Sequence, residues 1–221
     1  MTAIDEFEFQ ATRVLNEAAA SQLPGSFRKV LYVVMLDALA ARRFPDVKKN
    51  GKRFIRFIRV CGDWPDGERV SLPVAATDDQ LDPALRSFVR DRLLGWEDAI
   101  CGIGNDPLPK DLPAGNLNPF RSCQHVRLLW RFRNALLHEF QEPGLGDVWK
   151  VKADEPVYYR ANIDQKHEPW SLVFPVDFLA KLAERCLKNF LAWCRREGVS
   201  PYSDVPTWLA RENSEPPQGA E

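Results

Sequence analysis

Apolar residues recur along this chain at intervals that change from segment to segment, and those intervals predict where helices begin and end. Over residues 4–20, Ile4, Phe7, Ala11, Val14, Leu15 and Ala18 fall at helical spacing, with Asp5 and Glu6 in the first turn. Pro24 and Gly25 punctuate a break at 21–26. Residues 27–44 read as the most apolar helix, with Ser26 placed to cap its start and Pro45 to stop it. Its apolar positions cover most of its circumference, which predicts a place at the centre of a bundle.

Residues 52–61 form an amphipathic helix in which Phe54, Ile55, Phe57 and Ile58 alternate with arginines. Pro65, Gly67 and Pro73 make 62–76 extended, with 69–72 pairing as an edge strand. Helix resumes over 83–96, with Pro83 in its first turn. The proline- and glycine-rich stretch 101–119 reads as a long loop, a kind of segment that is more often functional than idle in a compact domain. Another long helix follows at 120–140. Short β-like runs at 148–151, 157–162 and 171–174 predict an antiparallel meander, and 174–197 closes the fold as a helix ended by Gly198. The fold class is therefore mainly α: one helical-bundle domain over 1–212 with a small antiparallel β appendage at 148–174, then a disorder-prone tail at 213–221.

At 221 residues, with 45% hydrophobic and 28% charged positions, the chain can bury a full core, and its composition excludes global disorder. The longest apolar run, 30–36, is far shorter than a membrane span. The N-terminal MTAIDEFEFQ lacks a basic-then-apolar signal, and five scattered cysteines form no CxxC pair. Both features predict a reduced, cytoplasmic protein that does not engage membranes. A net charge of −1 excludes a general polycation, but the charge is uneven. Residues 48–59 (KKNGKRFIRFIR) hold six basic groups and 121–133 (RSCQHVRLLWRFR) hold four arginines, and neither stretch contains an acid. Two positive surfaces on a neutral body fit a polyanion bound at one place, and equally fit solvated helix faces.

Within the second basic stretch, Arg133-Asn134 is followed by His138 after four intervening residues. This pattern resembles the signature of the HEPN superfamily, the higher eukaryote and prokaryote nucleotide-binding helical bundles, over about ten residues. The resemblance implies a HEPN-like helical bundle and a metal-independent endoribonuclease of the toxin–antitoxin or phage-defence kind. It implies that His138 moves the proton, that Arg133 holds the phosphate and that Asn134 orients them. The chemistry needs these residue types. A base must take the proton from the 2′-OH that attacks phosphorus, and a cation must hold the transition-state charge. A histidine titrates near neutrality, and a guanidinium grips phosphate oxygens while staying charged. Arg127 and Arg131, with Lys52, Arg53 and Arg56 of the first basic stretch, are the candidate RNA contacts.

On a straight helix Gln124, Arg127, Arg131, Asn134 and His138 share one polar stripe about 80° wide, opposite Leu128, Leu129, Phe132, Leu136 and Phe140. Arg133 sits about 140° from His138, so one straight helix holds the two apart. The family's remedy is dimerisation, which implies a homodimer with a composite cleft and leaves room for an antitoxin or defence partner. The alternative is a non-catalytic HEPN-like module for dimerisation or for partner or nucleotide binding. A nucleotidyl-acceptor role is disfavoured because no tyrosine lies in the motif helix.

Other candidates are weaker. His125 falls on the core side of the motif helix and His167 in a polar turn, and no spacing of a metal site is present, so no cofactor or metal is expected. The seven tryptophans read mostly as core anchors, with one or two near the basic stretches able to stack on unpaired bases.

Overall fold

The computed structural model describes residues 2–77, 82–93, 96, 100–112, 118–139, 153–159 and 170–202. The expected runs at 148–151 and 160–162, Phe140, and the tail at 213–221 lie outside the described residues. Seven helices are named here: α1 (Ala3–Ala20), α2 (Gly25–Arg43), α3 (Asn50–Cys61), α4 (Leu72–Ala76), α5 (Pro83–Leu93), α6 (His125–Asn134) and α7 (Val176–Glu197). The strands are β1 (Ile100–Gly102), β2 (Val157–Tyr159) and β3 (Ser171–Val173). The protein is mainly helical with a small antiparallel sheet, as the periodicity predicts.

α1 starts at a reciprocal cap. The Thr2 hydroxyl accepts from the Asp5 amide at 3.2 Å, and the Asp5 carboxylate accepts from the Thr2 amide at 2.9 Å. α7 stops at Gly198, whose φ of +65° suits a residue without Cβ. Between these ends α7 buries Phe178, Leu179, Leu182, Cys186, Phe190 and Leu191 against α1, α2 and α3. α2 contributes Tyr32, Val33, Leu36, Leu39 and Ala40, all nearly inaccessible, so the helix expected at the centre of the bundle is there. α6 completes this first core with Val126, Leu128, Leu129 and Phe132.

A second, smaller core gathers Val70, Leu72, Val89, Trp96, Ile103, Phe120 and Tyr158. Trp64, Val74 and Leu172 pack against both cores and join them. A buried polar knot fastens the second core to the start of α6. The Asp106 carboxylate lies 2.6 Å from His125 Nε2, and it accepts from the Tyr158 hydroxyl at 2.7 Å and from the Leu72 amide at 2.9 Å. Asp106, His125 and Tyr158 are all essentially inaccessible. Burial pushes the Tyr158 phenol well above its ordinary pKa, and the neighbouring Asp106 charge pushes it the same way.

Several boundaries differ from expectation. α2 begins at Gly25 after Pro24, so Ser26 lies inside the first turn and does not cap it. The expected edge strand at 69–72 is replaced by a 3-10 turn at Pro65–Glu68 and by α4, with only an isolated bridge from Val70 to Gln124. The reason is local: Ser71 caps Val74 and Pro73 falls in the first turn of α4, where a missing amide costs nothing. The meander is not confined to the late chain, because β1 comes from the stretch expected to be loop. It pairs Cys101 with Tyr158 on the central strand β2, whose other neighbour is β3. Ile103 and Asp106 of the same stretch are buried, so this part of 101–119 is packed structure. The helix expected at 120–140 is a 3-10 turn at Asn118–Cys123, then α6, then a π turn at Ala135–Glu139.

Candidate functional site

The π turn decides the site. In an α-helix, position i+5 lies about 140° around the axis from position i, whereas a π turn repeats from i to i+5. His138 therefore returns over Arg133, and Arg133 Nη1 lies 3.2 Å from His138 Nε2. The same Nη1 donates to Asn134 Oδ1 at 3.0 Å. The straight-helix expectation that these groups stay apart within one chain is corrected, and uniting them requires no second copy.

The sequence reading missed Asp37. It reaches across from α2 to accept from Arg133 Nη2 at 2.5 Å. Asp37 is the sole acid in α2, and that was the available signal: a carboxylate among apolar and basic neighbours in a central helix needs a cation. The pair anchors the guanidinium at one end and leaves Nη1 facing Asn134 and the imidazole. Arg133 also lies on Trp130, with its Cζ 4.9 Å from the ring. Trp130 in turn rests on Phe54 and on Gly51 of α3. A Cβ at Gly51 would stand 2.9 Å from the indole nitrogen, so only glycine lets α3 approach this closely.

Exposure divides the motif. Arg133 is 8% exposed, whereas His138 is exposed, so the cation is held inside and the imidazole faces out. A guanidinium only donates, so Nε2 is the acceptor in this contact, which in a neutral imidazole puts the ring hydrogen on Nδ1. Asp37 Oδ1 and Arg133 Nε are buried without hydrogen-bond partners among the described residues.

The expected stripe is only partly exposed. Arg131 and His138 face solvent, Arg127 and Asn134 are half-buried, and Gln124 is fully buried. Gln124 precedes α6, where it accepts from Arg59 and donates to Glu68. Leu128, Leu129, Phe132 and Leu136 face the core as expected. Partial burial, then the nearby Arg121 and Arg59 charges, hold Arg127 below its ordinary pKa, which marks a concentration of positive charge at that end of α6.

Of the candidates on α3, Lys52 is exposed in the turn that meets Trp130, and Arg53 donates to Asn50 at 3.0 Å. Arg56 lies over the Phe44 ring at 4.3 Å, directed to α2 and not to the motif. The five cysteines are free and buried, and burial lifts the Cys61 thiol to about 11, so it is no nucleophile at neutral pH. No group of three or more metal-ligating side chains occurs among the described residues. No helix among them is long and apolar enough to cross a membrane.

Beside Asn134 runs an open groove of about 570 Å³. Phe132 and Phe174 line it with Val74 and Leu172, and Thr77, Arg131, Asn134 and Ser171 carry its polar groups. Comparison with protein-family models, with curated proteins and with solved structures finds no match to this chain.

Proposed function

We propose that this chain is a metal-independent endoribonuclease of the HEPN kind, cutting RNA by attack of the 2′-OH on the adjacent phosphate. One observation carries the reading: an exposed imidazole touches a guanidinium that a buried-side carboxylate and an amide hold in place. In the resting site Arg133 donates to the Nε2 lone pair. An incoming phosphate oxygen competes for that N–H, and when Nη1 turns to it Nε2 becomes free for the 2′-OH. His138 then takes the hydroxyl proton as O2′ bonds to phosphorus. Arg133 neutralises the gathering charge, and the bond to the 5′-oxygen breaks as that oxygen receives a proton from the imidazolium, directly or through solvent. The products are a 2′,3′-cyclic phosphate and a 5′-hydroxyl. General acid–base help of this kind is worth about 10²–10⁴-fold.

The HEPN resemblance extends the proposal to a cytoplasmic homodimer, in a toxin–antitoxin or phage-defence setting with a partner protein. His138→Ala and Arg133→Ala are each expected to lower cleavage of single-stranded RNA by at least about 100-fold with folding intact. Wild-type protein that leaves RNA uncut, or two variants that cut as well as wild type, would refute the reading.

A second reading has its own observation. Phe27, Leu31 and Val34 stand exposed at helical spacing on α2, which fits a non-catalytic module that binds a partner or a second copy. An inert dimer that ignores RNA, seen by light scattering and by RNA titration, would favour it.

A further inference from the structure

We infer that the groove beside Asn134 receives the base of one unpaired nucleotide, so that the substrate is single-stranded RNA whose scissile nucleotide is splayed out of any stack. The inference rests on the nuclease reading and adds the subsite that holds the base. Its first support is continuity. Asn134 lines the groove and also accepts from Arg133 Nη1, which in turn touches His138, so the groove mouth and the imidazole share one short hydrogen-bonded chain. A base lodged in the groove lies against Asn134, two hydrogen bonds from Nε2.

Chemical fit is the second support. Buried Phe132 and Phe174 and half-buried Val74 and Leu172 give the groove an apolar lining, surroundings that accept a flat aromatic ring. Its polar side chains are Arg131 and Asn134 on the motif helix, Thr77 at the end of α4 and Ser171 on β3. The Asn134 carbonyl is taken by Arg133, and its amide N–H groups can meet a base edge. Arg131, exposed, can pair with a flanking phosphate. The size, about 570 Å³, falls within the usual range for a pocket taking one small ligand.

Charge is the third support, because 121–133 contains no acid to repel a phosphate chain. Reaction geometry points the same way. In a stacked duplex the 2′-oxygen cannot line up opposite the leaving 5′-oxygen, and pulling one base aside gives the sugar the freedom to do so. A duplex has no free base to offer the groove.

The test uses full-length His138→Ala protein and a labelled single-stranded RNA hexamer. A matched series replaces one base at a time by an abasic site, and the fully paired duplex is included. Binding is read by anisotropy, and cleavage of the same oligomers is measured with wild-type enzyme. Thr77→Trp at the exposed rim and Leu172→Trp in the wall fill the groove, with melting curves to show that both variants fold. The expected result is about tenfold weaker binding when one particular base is missing, absent from both filled variants, with the duplex bound at least as weakly. Cleavage that persists undiminished with every abasic oligomer and both filled variants overturns the groove and leaves the nuclease standing. Base-dependent binding that the filled variants abolish, with no cleavage by wild type, supports the groove and overturns the nuclease. RNA neither bound nor cut overturns both.

Discussion

Asp37 turns Arg133 from a mobile surface cation into a fixed donor. A guanidinium presents a planar fork that can meet Asp37 on one arm and serve Asn134 and His138 from the other, which an ammonium cannot reproduce. Asp37 is thus a positioning residue. Asp37→Asn keeps the shape but loses the charge, and the largely buried setting of the pair places the stability cost at about 1–3 kcal/mol. The same change is expected to loosen Arg133 and let the His138 ring proton spread between Nδ1 and Nε2. Nitrogen NMR of the imidazole reads that directly, and an unchanged tautomer in Asp37→Asn would remove Asp37 from the site. At this scale the sequence was half legible. Arg133, Asn134 and His138 stand together as a short pattern, but Asp37 lies 96 positions away from its partner, and no local pattern reports such a pairing.

The π turn is the element that matters most. It acts as one extra residue accommodated within the helix, so that Arg133 and His138, five apart in sequence, meet as residues four apart meet in an α-helix. An opposed pair of variants follows. Deleting Leu137 restores α spacing with His138 still over Arg133, and activity should stay within about tenfold of wild type. Inserting an alanine after Ala135 carries the imidazole around the axis, and activity should fall by about 100-fold or more. Cleavage rates of the two variants side by side decide it, and an equal loss in both would assign the turn no role in joining the pair. Helix α7 and the centre of α2 were legible because their apolar spacing runs over many turns. The π turn was not, because its apolar positions Leu136 and Leu137 also suit an α-helix. The strand β1 was hidden for a different reason: Ile100–Gly102 is too short to show alternation, and it becomes a strand only through its partner β2.

For the whole molecule, the joint between the two cores sets where α6 begins. Asp106 satisfies the Tyr158 hydroxyl, the Leu72 amide and His125 at once, and His125 is the first residue of the motif helix. Asp106→Ala leaves three buried groups without their acceptor and should cost about 3–5 kcal/mol, measured by urea unfolding. A loss under about 1 kcal/mol would mean that the knot is not what fastens the second core.

The groove takes one wall from each side of that joint: Leu128 and Arg131 from the first core's motif helix, Val74 and Leu172 from the residues that bridge the two. Arg133, Asp37 and His138 stay on the helical side and depend on neither bridging residue. On the proposed reading, preference at Val74 and Leu172 is set apart from reactivity at Arg133, Asp37 and His138, and Asn134 alone belongs to both. Descendants of this chain could exchange what they admit, through single changes at Val74 or Leu172, while inheriting the imidazole and its guanidinium untouched.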